Sequence, residues 1–125
     1  MVGLLEGIRV VEVAIYAFVP SAGAALADWG ADVVKIEHPE TGDPIRGLSS
    51  YGIAPGDGGV TTLWEVFNRG KRSIGINLGT AEGLELVMAM VDEADVFITN
   101  FMQPARARIG IDVDQVMARN PRIIY

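Results

Sequence analysis

The sequence predicts an α/β fold: a mostly parallel sheet with flanking helices. Three observations predict it. Short segments rich in β-branched residues alternate with segments of helical period. The first two strand-like segments are joined by a crossover long enough for one helix, which calls for parallel strands and a right-handed connection. Half of the 125 residues are hydrophobic, as expected when a sheet is covered on both faces or packs against further chain.

Arg9 to Val13 reads as a buried strand. Pro20 suits a helix's first turn, Ala22 to Trp29 supplies helix formers, and Gly30 is a stop signal. Asp32 to Glu37 is the second strand. Residues 39–59 hold three of the six prolines and six glycines and read as a long loop of functional character. Thr61 or Thr62 caps a short helix through Phe67, Asn68 to Arg72 is a polar turn, and Ser73 to Leu78 alternates as a strand weakened by Gly75. Thr80 caps a helix whose Leu84, Val87, Met88 and Val91 share one face. Val96 to Thr99 is a strand and Gln103 to Ile109 a helical turn. Asp112 and Gln115 have capping-box spacing for a helix through Arg119, which Asn120-Pro121 breaks. Asp32, Asp92, Asp95 and Asp112 read as caps and turn residues. Ile123 to Tyr125 opens another strand, so the chain reads as continuing beyond Tyr125.

Composition narrows the function classes. The net charge is −6 without a basic stripe, which argues against nucleic acid as a partner. There is no cysteine and one histidine, His38, so neither thiol chemistry nor a metal site is expected. The apolar stretch from Val10 to Ala27 is interrupted by Glu12 and Pro20 and does not read as a leader. No run spans a bilayer, so neither membrane association nor export is expected, and the expected location is the cytoplasm.

In parallel sheets, ligands bind beyond the carboxyl ends of the strands. Ala14 to Val19 lies there but lacks the GxGxxG turn, and no phosphate-loop motif occurs. Tyr16 and Phe18 fit either core packing or a ligand wall. Asn68-Arg69-Gly70-Lys71-Arg72 places three cations about a glycine, a composition that suits phosphates and equally a solvated turn. Asn100, Phe101 and Met102 fit an adenine or pantetheine arm or an ordinary loop, and His38 fits a hydrogen-bonding loop residue. No carboxylate pair has a spacing that demands acid–base work.

Six blocks in order resemble family III CoA-transferases of the CaiB/BaiF type. Leu5 to Glu12 resembles L-x-G-[IV]-[KR]-V-[LV]-[DE], Gly30 to Glu37 with Pro39 resembles GADV[IV]K[IV]E-x-P, and Gly42 to Arg46 resembles GDPxR. Asn68 to Ile74 is similar to N-x-x-KRS[IL], Glu93 to Phe101 to EADV[LF][IV]ENF, and Asn120 to Tyr125 to NPRL[IV]Y. The resemblance implies that residues 1–125 are the N-terminal portion of a Rossmann-like CoA-binding domain in an interlocked homodimer. It implies acyl-CoA:carboxylate CoA transfer, with coenzyme A or acyl-CoA and a carboxylic acid as substrates. Racemisation of α-methylacyl-CoA is the sister activity, and a stand-alone CoA- or nucleotide-binding domain the non-catalytic alternative. By motif position, CoA would contact Tyr16, Ala17, His38, Asn68, Arg69, Gly70, Lys71, Asn100, Phe101, Met102 and Arg108. The family's covalent aspartate would lie downstream of Tyr125, so no catalytic residue is assigned and the 125 residues alone are expected to be inactive. The sequence departs from the family pattern at His38, where an arginine is common, and at Met102-Gln103-Pro104, where the usual block is NFRPG.

Overall fold

A computed structural model of the protein describes residues 3–48, 52, 56–57 and 60–125. Strand β1 (Arg9–Val13) leads through helix α1 (Phe18–Asp28) to β2 (Asp32–Glu37). A 3-10 turn at Pro44–Gly47 and two antiparallel two-residue strands, β3 (Gly56–Asp57) and β4 (Val60–Thr61), follow. Then come α2 (Thr62–Asn68), β5 (Arg72–Gly75), α3 (Ala81–Asp92), β6 (Val96–Thr99), α4 (Gln103–Ile109) and α5 (Val113–Arg119).

The main sheet has the order β5-β2-β1-β6 with every pair parallel, and Ile124 adds a parallel bridge beside Val96. The order reverses between β1 and β6, and this switch point opens a crevice at the carboxyl edge of the sheet. Side chains alternate along the strands, so successive residues serve opposite faces. Val11 and Val13 join Phe97, Val87, Val91 and Val116 in the larger core, whereas Val10 and Val33 pack with Leu26 and Ala27 of α1. The same alternation carries Glu12 and Lys35, register partners on adjacent strands, onto the α1 face.

Most elements follow local signals. Thr80 accepts a hydrogen bond from the Gly83 amide, and Asp112 forms a reciprocal capping box with Gln115. Asn120 is more than a breaker: its buried amide donates to the carbonyls of Val91 and Ala94 at 2.9 Å each and ties the end of α5 to that of α3.

The structure corrects several expectations. Helix α1 begins at Phe18, so Pro20 is its third residue, where its missing N–H still costs no intrahelical bond. Residues 39–59 are not wholly irregular, since Asp43 caps the 3-10 turn by accepting from the Ile45 amide. Part of that segment lies outside the described residues. Thr61 precedes α2 but donates its hydroxyl to the Arg46 carbonyl and does not cap the helix. Strand β5 stops at Gly75, because β2 ends at Glu37 and the chain turns away at Pro39, leaving no partner for a longer ladder. Asp32 is not a turn residue: it opens β2 and pairs with Arg72.

Candidate functional site

The crevice at the carboxyl edge is walled by the loop between β1 and α1, and three separate side chains hold that loop. The Lys35 ammonium donates to the Ala14 carbonyl at 2.8 Å. Asn100, just beyond β6, accepts from the Ile15 amide at 3.1 Å and donates to the Ile15 carbonyl at 2.7 Å, stitching the loop across the switch point. Asp43 accepts from the Tyr16 amide at 3.0 Å. Tyr16 itself sits at φ +65°, a left-handed conformation that costs a non-glycine residue about 1–2 kcal/mol, so these anchors hold the loop against strain.

Beneath the loop lies a buried charge cluster. Lys35 Nζ is 3.2 Å from Glu12 Oε1 and 3.0 Å from Asp43 Oδ2. Lys71 reaches in from the turn before β5, with Nζ 2.7 Å from Glu12 Oε2, and also donates to the Pro20 carbonyl and to Asn68 Oδ1. The 2.7 Å approach is an ion-pair contact outside hydrogen-bonding directions; the directed bond from Lys71 goes to Glu12 Oε1 at 2.9 Å. Two carboxylates and two ammoniums balance formally, as burial of charge requires. Burial is the largest influence on Glu12 and raises its pKa, with both lysines opposing; burial likewise lowers that of Lys71, with Glu12 opposing. Gly23 makes room for the cluster under α1, since a methyl group there would fall 1.9 Å from Glu12 Oε2.

A cavity of about 250 Å³ runs along the strand ends, lined by Ala14, Ile15, Ile36, His38, Phe101 and Ile109 among others. It meets a second hollow that shares Ile109 and is flanked by Arg108 and the start of α3. The described carboxylates on the first cavity are Glu37 and Asp43, and both are engaged. Burial alone would raise the pKa of Glu37, but hydrogen bonds from Arg46, Ser73 and the Asp43 amide hold it below its ordinary value of 4.5. The cavity therefore offers an apolar slot with polar ends and no free carboxylate nucleophile among the described residues.

The eleven sequence-derived contacts separate into two groups. Tyr16, Ala17, His38, Asn100, Phe101 and Met102 gather at the strand ends, with Arg108 at the neighbouring hollow. Tyr16 and Met102 are exposed, and His38 is an exposed loop residue whose Nδ1 accepts from the Glu40 and Thr41 amides. Asn68, Arg69, Gly70 and Lys71 lie apart. Arg69 pairs with Asp28 at the far end of α1, Gly70 abuts Ala27, and Asn68 is buried. The expectation of a cationic turn open to phosphate is corrected at Lys71, whose side chain is 1% exposed and directed inward. Sequence reading missed Glu12, Lys35 and Asp43. For Glu12 and Lys35 one signal was available: a single charge at the same level of two adjacent apolar strands.

A parallel sheet with an anchored crevice at its switch point places the chain in the class of Rossmann-like α/β domains. Within that class, residues 5–125 match the family model described as CoA-transferase family III, and the chain belongs to that family. It is 43% identical over 97% of its length to succinate–glutarate CoA-transferase of Agrobacterium fabrum, of which it covers 31%. It is 36% identical over 98% of its length to (R)-2-hydroxy-4-methylpentanoate CoA-transferase of Clostridioides difficile, covering 30%. The crystal structure of a CaiB/BaiF family protein from Brucella suis superposes with a TM-score of 0.88 at 39% identity, over all of this chain and 33% of that one. The chain thus spans about a third of the length of these relatives.

Proposed function

We propose that residues 1–125 form the CoA-binding part of a longer acyl-CoA:carboxylate CoA-transferase. The observation that carries this reading is the crevice at the β1/β6 switch point, walled by a loop held in a strained conformation. Catalysis in this reading passes through an aspartate outside these 125 residues, which forms the covalent acyl and CoA adducts. Its support here is that the described carboxylates lining the cavity, Glu37 and Asp43, are already engaged. By the same reading the full polypeptide works as a homodimer in the cytoplasm, and residues 1–125 alone bind CoA without turnover. The names of the relatives suggest succinate, glutarate or a 2-hydroxy acid among the carboxylates that exchange CoA.

The test uses the polypeptide that carries this sequence, with succinyl-CoA as donor and glutarate among the acceptors. Formation of glutaryl-CoA, or another acceptor's CoA thioester, with release of succinate is the expected result. Exchange of the α-proton of a 2-methylacyl-CoA without CoA transfer would select racemisation. CoA binding without either reaction would leave the non-catalytic binding domain.

A further inference from the structure

We propose that Asp43 is a positioning residue for acyl-CoA, fixing the loop between β1 and α1 in the left-handed turn that shapes the crevice. This rests on the reading of the crevice as the CoA site and adds a residue that was absent from the sequence-derived contacts. The Asp43 carboxylate does three things at once. Its Oδ1 accepts from the Tyr16 amide and from the Ile45 amide, both at 3.0 Å, and its Oδ2 lies 3.0 Å from Lys35 Nζ. One fully buried side chain therefore couples the Tyr16 loop, the 3-10 turn and the buried lysine that itself holds the Ala14 carbonyl. The segment from His38 to Asp43 forms the cavity's other wall, so the two walls are tied together at Asp43.

Asparagine is isosteric but cannot perform this role. Its NH2 must face either the Lys35 ammonium or the two backbone amides, and each choice sets donor against donor. With its oxygen toward the amides the NH2 opposes the Lys35 ammonium, which holds the Ala14 carbonyl, and with its oxygen toward Lys35 the Tyr16 amide loses its acceptor, so either orientation weakens an anchor of the loop. In the full polypeptide, Asp43→Asn is expected to raise the KM for the acyl-CoA donor about tenfold, the equivalent of one charge-assisted hydrogen bond. The KM for the carboxylate acceptor and kcat are expected to change less than about threefold. An active variant with an unaltered acyl-CoA KM, whatever its Tm, would overturn the positioning role.

A second measurement holds even where the variant fails to fold. In the wild-type protein the Ile15 and Tyr16 amides should exchange with solvent far more slowly than a free loop, because each is bonded to a side chain. Free-loop exchange at Tyr16 would overturn the proposal. A wild-type polypeptide that transfers no CoA would instead overturn the functional reading, and the exchange result would still decide the anchoring.

Discussion

Lys71→Ala lowers the stability of the polypeptide by about 3–5 kcal/mol, the cost of removing one partner from a buried ion pair. The Lys71 side chain is 1% exposed and that of Glu12 fully buried, so water cannot replace the lost ammonium. The Pro20 carbonyl and Asn68 Oδ1 lose their donor as well. The neighbouring Arg69 provides the control. Its pair with Asp28 is about half exposed on both sides, and Arg69→Ala should cost no more than about 1 kcal/mol. Denaturant unfolding of the two variants checks the contrast. Equal, small losses would place Lys71 at the surface, as its sequence context suggested. Pairing Lys71→Met with Glu12→Gln should recover part of the loss, because the buried charge and its counter-charge leave together.

Gly23→Ala should destabilise by about 3 kcal/mol, against the usual sign for this substitution in a helix. Alanine normally favours a helix interior over glycine by up to about 1 kcal/mol. At this position the added methyl would lie 1.9 Å from Glu12 Oε2 and 3.1 Å from Lys71 Cε. Glu12 cannot swing aside without leaving Lys35 and Lys71, so α1 must lift from the sheet. Thermal unfolding of the variant decides the matter: a raised Tm would mean that α1 does not press on the charge cluster.

Strands β1, β2 and β6 and helices α4 and α5 were legible because their signals are local. Runs of Val and Ile and the Asp112/Gln115 spacing mark these elements without reference to the rest of the chain. The charge cluster depends on register and distance. Glu12 reads as an interruption of an apolar run until β1 and β2 are aligned and Lys35 falls opposite it. The cationic turn was misleading for the same reason: Arg69, Lys71 and Arg72 find their carboxylates 41, 59 and 40 residues earlier in the chain. No short-range pattern announces such partners. Tyr16, Ala17, His38 and Asn100 to Met102 lie just beyond strand ends, a position legible in the sequence because following a parallel strand is itself a local property. Asp43 was legible only as part of a motif. Its role emerges from contacts with residues on three different segments.

Hydrogen exchange of the full polypeptide with and without CoA, read at peptide resolution, tests most directly whether acyl-CoA is held where β1, β2 and β6 end. Slowed exchange on CoA binding in residues 14–18, 38–43 and 100–103, with residues 69–72 little changed, is the predicted result. Protection centred on 69–72, with the strand ends unaffected, would contradict it.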